Sequence, residues 1–536
     1  MMKKVIKKLL AALLAVAMVC AMAIPAFAGN YWETEEDLGT NHCYDAFQIF
    51  DGVVSDDNTI SNVGWGSSIA HPNEFLAQLT EDLTIGDKFE TSFTPQEAAA
   101  VISQWSDSDN NSIAFARCVC NYVYSDRDST PVLQGGHTNG FKLEKAGYYL
   151  IVDTSSFSSD ANNDSYHAYN SFLLKVNKAN YHVQITPKVV KPTVEKKVYD
   201  NDDNSTSGDN NGWGSSADHA INEEFKFRLI AKLPASEGRA YDYYKKYTVC
   251  FNDTLSEGIT FDKLDTVEIT NGDGGASQVI DAANYTRTPN GSQFFKLSID
   301  DVKTCAEGLD LNKGATITVT YTAHLNDKAY VNTGSGSTEN KNSVRLQYSN
   351  NPRPDGEYWG YTPNYTPESE VYVYTYQLNN TKRAETENGT PLPGAGFKLY
   401  SDKAYEHEVK LYKEGNFYYP IKNALDKTPV EMKSADDGTF NVRGLDAGTY
   451  YLKETTTPAD FTPCSVIPPV TITANHTKDY VDLSGNLSTT IINKKAGGIT
   501  LPSTGGIGTT LFYVVGGGLM VAAIVLLVTK KRMENK

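Results

Sequence analysis

The sequence predicts a mainly β protein, a tandem row of β-sandwiches in which the N-terminal domain carries a helical insertion. Short runs of alternating apolar and polar residues, such as residues 223–233, are separated by Gly, Asn and Asp turns, which is typical of antiparallel sandwiches. The chain is rich in tyrosine (33) and glycine (41), which favours the same fold class. Thr94, Pro95 and Glu97 form a capping-box pattern before an apolar stretch, which predicts the start of a helix.

The N-terminus has the pattern of a secretory signal. Lysines open the chain, an apolar run follows from Leu9 to Ile24, and small residues end at Ala28. This order of charged, apolar and small residues is typical of signal peptides. We therefore predict that residues 1–28 are removed on export.

The C-terminus has the pattern of a membrane anchor. Residues 511–528 are almost wholly apolar, and Lys530, Lys531 and Arg532 follow them. Eighteen residues at about 1.5 Å each are just long enough to cross a bilayer, and basic residues are typical of the cytoplasmic side. The chain should be exported and held by its C-terminus.

Leu501, Pro502, Thr504 and Gly505 belong to the motif LPSTG, which directly precedes this span. Motif, span and basic tail together make residues 497–536 resemble the sorting signal of Gram-positive surface proteins. The resemblance implies that a sortase cleaves between Thr504 and Gly505 and transfers the Thr504 carbonyl to an amine. It also implies that the protein is secreted and anchored to the cell wall.

The exported chain, residues 29–504, would be strongly acidic. It would keep 476 residues, with 40 basic and 64 acidic side chains and a formal net charge of −24, which argues against nucleic acid as a partner. The spacing of its six cysteines resembles neither a disulfide framework nor a zinc site. We expect no cofactor and no metal site, because the Asp-rich segment that begins at Asp200 departs from the spacing of an EF-hand loop.

We predict three domains in this exported chain. Residues 29–187 form the first unit, an N-terminal pilin domain, and residues 188–375 form the middle unit. The segments DTLSEGITF and YSNNP in the middle unit resemble the immunoglobulin-like shaft domain of sortase-assembled major pilins. The segments GTPLPGAGFKLY and DGTFNVRGLDAGTYYLKE in the third unit, residues 376–496, resemble the collagen-adhesin (Cna) B-type domain, a small inverse-immunoglobulin sandwich.

Strand parity directs charged side chains into the core of the middle unit. Lys196 lies on the same face as Val198, and Asp253 lies on the apolar face of YTVCFND. Asn342 and Asn350 both lie on the apolar face of NSVRLQYSN, so either could be the amide that meets the lysine. In the third unit the same argument directs Lys382, Glu454 and Asn493 inward.

Burying such groups without partners costs several kcal/mol each. Burial lowers the pKa of a lysine and raises the pKa of a carboxyl, so both can be neutral in a core. A neutral amine can then attack the asparagine carbonyl while the protonated acid, Asp253 or Glu454, hydrogen-bonds to the carbonyl oxygen and transfers protons. The resemblance implies this outcome: Lys196–Asn342 and Lys382–Asn493 isopeptide bonds that lock the first strand of each unit to its last.

Lys188 is the predicted acceptor for polymerisation. It lies in ITPKVVKP, at the seam between the first and middle units, where major pilins carry a YPK-like motif. Here Thr186 replaces the usual tyrosine, and Lys191 is the alternative acceptor. Pro187 restricts the backbone around the lysine, which suits presentation of an amine to an enzyme.

The combined pattern predicts a major structural subunit of a covalent cell-surface pilus. Thr504 of one subunit would be joined to Lys188 of the next, and the internal bonds would stiffen each subunit. The expected partners are pilus-building and housekeeping sortases, identical subunits and peptidoglycan, with minor pilins or host surface ligands as further candidates. The alternative is a peptidoglycan-anchored adhesin or minor pilin that binds a host protein or glycan. We expect no enzymatic activity beyond the autocatalytic bond formation.

Overall fold

The computed structural model describes most of the region between the two ends of the chain. The described residues are 42–54, 60–106, 109–137, 140–154, 171–176, 181–183, 190–200, 211–236, 239–289, 293–352, 364–422, 426–497, 519–520, 523 and 530. The predicted signal peptide, the LPSTG motif and Lys188 lie outside these residues, as does almost all of the predicted span. Among the residues described, we find no helix with the length and apolar character needed to cross a membrane.

The first unit combines a β-sheet with three α-helices. Its strands are β1 (Cys43–Val54), β2 (Ile60–Trp65), β3 (Leu133–His137), β4 (Phe141–Leu143), β5 (Gly147–Asp153), β6 (Ser171–Val176) and β7 (Tyr181–Val183). Its helices are α1 (Pro72–Glu81), α2 (Pro95–Ile102) and α3 (Asn110–Ser125), with a 3-10 turn at Gly86–Lys88. The main sheet has the order β2-β1-β5-β6, with β3 also paired to β1, and β4 pairs with β7.

The predicted helical insertion is confirmed, and so is its start. Thr94 accepts a hydrogen bond from the Glu97 backbone N–H, and the Glu97 carboxylate accepts one from the Thr94 N–H. This reciprocal capping box satisfies two backbone donors that the first turn leaves without helical partners. The helices then pack their apolar faces, including Phe75 and Phe115, against the sheet.

The middle unit is a sandwich of two six-stranded sheets. Its strands are β8 (Thr193–Tyr199), β9 (Trp213–Gly214), β10 (Ser216–Asp218), β11 (Glu224–Leu233), β12 (Val249–Leu255), β13 (Ile259–Asn271), β14 (Gln278–Val279), β15 (Tyr285–Pro289), β16 (Phe294–Ile299), β17 (Ala315–Leu325), β18 (Lys341–Tyr348) and β19 (Ser369–Tyr374). Short 3-10 turns lie at Ala240–Tyr243, Ala282–Asn284, Val302–Thr304 and Leu311–Lys313. The sheet orders are β10-β19-β18-β12-β16-β15 and β14-β13-β17-β11-β8-β9.

The third unit is a second sandwich, with five strands in one sheet and six in the other. Its strands are β20 (Tyr376–Ala384), β21 (Gly396–Tyr400), β22 (Glu408–Val409), β23 (Leu411–Glu414), β24 (Phe417–Pro420), β25 (Met432–Lys433), β26 (Val442–Leu445), β27 (Gly448–Thr456), β28 (Val470–His476), β29 (Val481–Gly485) and β30 (Ser488–Asn493). The sheet orders are β23-β24-β26-β20-β30 and β22-β21-β27-β28-β29, with β25 on β21.

The prediction of a mainly β chain built from tandem sandwiches is confirmed, but pairing is not wholly antiparallel. The first and last strands of the third unit, β20 and β30, run parallel with Lys382 opposite Ile491, and β10 pairs in parallel with β19. Parallel pairs need a long crossover connection, and here almost the whole third unit supplies it. None of the six cysteines in the described region forms a disulfide bond.

The middle and third units are joined without a slack linker. A single residue, Thr375, separates β19 from β20, and Tyr374, Thr375 and Tyr376 are all fully buried. The Thr375 carbonyl accepts a hydrogen bond from the Asn332 N–H at 2.8 Å. The Thr375 hydroxyl donates to the Leu445 carbonyl of the third unit at 3.1 Å, so both units hold the connection.

Candidate cross-linking sites

The middle unit buries Lys196 in the space between its two sheets. β8 places Lys196 and Val198 on its inner face, whereas Lys197 faces outward and lies 3.7 Å from Glu195. The inward direction that strand parity predicts for Lys196 is thus confirmed. Among the lysines that the structure describes, Lys196 and Lys382 are the two that are buried.

Asp253 and Asn342 approach Lys196 from the opposite sheet. The Lys196 ammonium group contacts the Asp253 carboxylate directly. Asp253 lies opposite Val344 in the β12–β18 register, and Asn342 lies two residues further along β18 on the same face. Asn350 lies beyond the end of β18 in the other direction, so the register favours Asn342. We had expected Asn342 to lie on the last strand of the unit. It lies on β18, and β19 follows.

A fourth residue, Tyr321 of β17, connects the other three. Its hydroxyl donates to Asp253 Oδ2 at 2.6 Å. It accepts hydrogen bonds from Lys196 Nζ at 3.1 Å and from Asn342 Nδ2 at 2.6 Å. These three bonds use the full hydrogen-bonding capacity of a phenol. Strand parity could have directed Tyr321 inward, but its role depends on a register that the sequence does not show.

Burial dominates the electrostatics of this site. Desolvation lowers the pKa of Lys196 to about 8, and the nearby Asp253 partly opposes the shift. Desolvation also raises the pKa of Asp253 above its ordinary value, and Lys196 opposes that shift. Both changes favour the neutral amine and the neutral acid, which are the reactive forms for amide exchange. No hydrogen-bond partner is found for the Asn342 Oδ1 atom within the described part of the chain.

The third unit brings its lysine and asparagine into direct contact. The parallel pairing of β20 and β30 places Lys382 Nζ 2.5 Å from Asn493 Oδ1 and 3.4 Å from the Ile491 carbonyl oxygen. Both side chains are buried. Desolvation lowers the pKa of Lys382, and the charge of Glu454 opposes the shift.

Glu454 of β27 reaches this pair from the facing sheet. Its Oε1 atom accepts a hydrogen bond from Asn493 Nδ2 at 2.6 Å, and its Oε2 atom accepts one from the Cys464 N–H at 2.7 Å. We expected the acid to meet the amide oxygen. Instead both of its carboxylate oxygens accept hydrogen bonds, and Oε1 faces the amide nitrogen, the atom that would leave as ammonia.

The predicted polymerisation acceptor and the sorting motif lie outside the described residues. These residues are Lys188, Leu501, Pro502, Thr504 and Gly505. The alternative acceptor Lys191 is described and is half-buried, and desolvation lowers its pKa.

Two regions of the chain match known protein families. Residues 493–535 match the LPXTG cell wall anchor motif, and residues 378–486 match the SpaA prealbumin-like fold domain. The chain is a cell-wall-anchored surface protein. These matches confirm the predicted resemblance of both regions to sortase-anchored Gram-positive surface proteins. No curated protein sequence matches the surface protein.

Solved structures with low sequence identity are similar to the surface protein. The T6 backbone pilin of serotype M6 Streptococcus pyogenes is 15% identical, with 85% of this chain and 96% of that chain covered and a TM-score of 0.47. The full-length major pilin SpaD from Corynebacterium diphtheriae is 17% identical, with coverages of 85% and 93% and a TM-score of 0.40. A 35 kDa C-terminal fragment of the major pilin GBS80 of Streptococcus agalactiae is 20% identical, with coverages of 56% and 99% and a TM-score of 0.40.

We expect Tyr321→Phe to slow cross-linking in the middle unit of the surface protein by about 100-fold, the usual effect of removing one positioned donor. The hydroxyl orients Asp253, Lys196 and Asn342 together, so its loss should leave the groups present but misaligned. The measurement is the time course of ammonia loss, followed by intact mass, when chains purified unfolded and without the bond are allowed to fold. Tyr241→Phe is the matched control, because it removes a hydroxyl of the same core that bonds only the Pro234 carbonyl among its described contacts. Equal rates in the two variants would contradict this role.

The rate of cross-linking in the middle unit should have a bell-shaped dependence on pH. Neutral Lys196 with protonated Asp253 holds one titratable proton, the same number as the Lys196–Asp253 ion pair. The cross-linking rate should therefore not depend on pH over the range in which the two groups share that one proton. At pH values below the raised pKa of Asp253, the pair takes up a second proton, the Lys196 amine is charged and the rate falls. Above about pH 8 the pair loses its last titratable proton, and the rate falls again. This site is isolated by taking a Glu454→Gln variant that was purified unfolded and without the bond, and folding it at a series of pH values. A rate that keeps rising well above pH 8 would show that protonated Asp253 is not needed for the reaction.

Proposed function

We propose that the surface protein is the shaft subunit of a covalent pilus and that it stiffens itself with one isopeptide bond in each of its middle and third units. The observation that carries the proposal is the pair of lysine–acid–asparagine sites, Lys196/Asp253/Asn342 and Lys382/Glu454/Asn493, in a chain that ends in a wall-anchor motif. All of these side chains are buried except Glu454, which is half-buried.

The proposed reaction is the same at both sites. The neutral lysine Nζ attacks the asparagine Cγ, and a C–N bond forms. The proton released by the amine passes through the carboxyl group to Nδ2, the Cγ–Nδ2 bond breaks, and ammonia leaves. The carboxyl group returns to its starting state, so each site reacts once and needs no cofactor. The subunit is therefore structural and not an enzyme toward external substrates.

The proposed polymer grows by a second amide bond made by a sortase. The enzyme would cleave after Thr504 and transfer the Thr504 carbonyl to Lys188 of the next subunit, with Lys191 as the alternative acceptor. Donor and acceptor are different residues of the chain, so each link joins unlike parts of two subunits, and a heterologous link of this kind can extend as a fibre. A housekeeping sortase would finally attach the fibre to peptidoglycan.

The test is tandem mass spectrometry of trypsin-digested cell-wall extract. The expected product is a branched peptide that joins the Thr504 carboxyl group to Lys188. Strains that carry Lys188→Arg and Lys191→Arg form a matched pair, because each keeps the charge and removes one amine. The first should lose the ladder of polymers on a denaturing gel, and the second should keep it.

Two outcomes would change the proposal. A branch at Lys191, with the ladder lost in Lys191→Arg, would keep the polymer and move the acceptor. Thr504 found only on peptidoglycan would overturn the shaft proposal in favour of a wall-anchored adhesin or minor pilin.

A further inference from the structure

A histidine and two aspartates meet in a buried position where the middle and third units touch. Asp200 follows β8, Asp218 ends β10, and His476 ends β28. Their side chains are 6%, 1% and 0% exposed. One ligand atom from each lies within 4.8 Å of the others. Two elements of the middle unit and one of the third thus supply three possible metal ligands.

The distances from His476 to the two carboxylates suit a shared ion, and Asp200 Oδ2 also accepts a hydrogen bond from the Asp218 N–H at 3.0 Å. His476 Nε2 lies 3.6 Å from Asp200 Oδ2 and 3.9 Å from Asp218 Oδ1. Both separations exceed the N–H···O range of about 2.7–3.2 Å. Ligand atoms around a tetrahedral zinc with bonds of about 2.0–2.2 Å lie only slightly closer together than this. A small inward movement of the side chains would complete the geometry.

The surroundings orient His476 for metal binding. His476 Nδ1 lies 2.8 Å from Ser216 Oγ, so an Nδ1–H that donates to this hydroxyl leaves the Nε2 lone pair directed at the carboxylates. Metal-binding histidines commonly have such a second partner, which fixes the tautomer and the ring orientation. The Tyr374 ring also stacks on the imidazole, with 5.7 Å between ring centroids.

The donor types of the cluster suit a metal ion. It offers one imidazole and two carboxyl groups, all of them buried. Mixed imidazole and carboxylate donors favour a transition metal such as Zn²⁺.

We propose that Asp200, Asp218 and His476 bind a divalent transition metal such as Zn²⁺, and that the metal ties the third unit to the middle unit. This site lies apart from both cross-linking sites and does not depend on the proposed pilus function. It departs from the sequence-based expectation of no metal site, because its three ligands come from strand ends that are far apart in the chain.

Two other clusters with similar donors are weaker candidates. His71, Asp126 and Asp128 lie at the surface of the first unit, and His71 Nδ1 already bonds Asp126 at 3.0 Å. In the cluster of His219, Glu223 and Asp446, Glu223 lies 3.3 Å from the ammonium group of Lys422. The His71 cluster has the same donor types as the proposed site and therefore provides a matched control.

The experiment uses the exported protein, stripped of metal with a chelator and titrated with Zn²⁺ in a calorimeter. We expect one high-affinity site per chain in the unchanged protein and in His71→Gln. His476→Gln and the isosteric Asp218→Asn should weaken binding at least about 100-fold, because each removes a direct ligand. Absence of a Zn²⁺ site in the unchanged protein, equal affinity in His476→Gln, or preference for Ca²⁺ over Zn²⁺ would overturn the proposal.

A second measurement does not depend on how the variants fold. Co²⁺ added to the stripped, unchanged protein should produce the strong visible absorption of a four-coordinate site, and Zn²⁺ should displace it. The chelator should also lower the melting temperature of the unchanged protein. A Co²⁺ spectrum identical to that of the aqueous ion would overturn the site even if every variant unfolded.

Discussion

Replacing Asp253 with asparagine should abolish the middle-unit bond and strongly destabilise that unit. The intact mass of the variant should show one loss of ammonia fewer than that of the unchanged protein, because no acid remains to transfer protons in the middle unit. It also leaves Lys196 in the core without its carboxylate partner, which costs about 3 to 5 kcal/mol. Loss of a covalent loop of more than 100 residues costs about 4 to 5 kcal/mol more.

The double variant Lys196→Met, Asp253→Asn separates these two effects. The double variant should also lack the bond, but it no longer buries an amine. Replacing a buried ion pair by apolar groups often leaves the free energy of unfolding unchanged. We therefore expect it to unfold at a higher denaturant concentration than Asp253→Asn and at a lower one than the unchanged protein. Ammonia loss in Asp253→Asn, measured by intact mass, would exclude Asp253 as the acid.

Replacing Glu454 with glutamine should remove the third-unit bond and leave the fold intact. The amide oxygen of the new side chain could still accept the hydrogen bond from the Cys464 N–H, but the amide cannot transfer protons to Asn493 Nδ2. The lost link joins residues 111 positions apart, so the melting temperature of the third unit should fall by roughly 15 to 25 °C. Intact mass and calorimetry of the same sample measure both effects.

Glu431→Gln is the matched control for this change. Glu431 lies in the same unit and accepts hydrogen bonds from the Thr455 and Thr456 hydroxyls at 2.5 and 2.8 Å, but it does not contact the lysine–asparagine pair in the described structure. This variant should lose ammonia as the unchanged protein does. If Glu454→Gln forms the bond at the same rate, then Glu454 only positions Asn493.

Much of the two cross-linking sites could be predicted from the sequence, because strand periodicity alone determines which side chains enter a sandwich. Side chains alternate between the two faces of a strand, so the apolar face identifies the inward-facing residues. This rule distinguishes inward Lys196 from outward Lys197 and directs Lys382 into the core. The capping box at Thr94 was predictable for a similar local reason.

Features that depend on pairing between distant strands could not be predicted. Tyr321 contacts three site residues because β17 lies in the sheet opposite β12 and β18, and no local pattern specifies that arrangement. The parallel pairing of β20 with β30 joins segments more than 100 residues apart. Asp200 and Asp218 meet within the middle unit, and His476 joins them only because the two units dock, so their separate positions in the sequence carry no sign of the cluster.

The parallel pairing of β20 with β30 also bears on how the polymer would survive damage. With the proposed Lys382–Asn493 bond in place, residues 383–492 form a closed covalent loop, and the connection from Thr375 to the C-terminus runs through the side-chain amide. A single backbone cut anywhere in that loop would leave both ends of the subunit joined. The surface turns of the third unit, such as the one around Tyr405, could then be nicked without breaking the fibre, whereas a cut at Thr375 would sever it. That residue is fully buried.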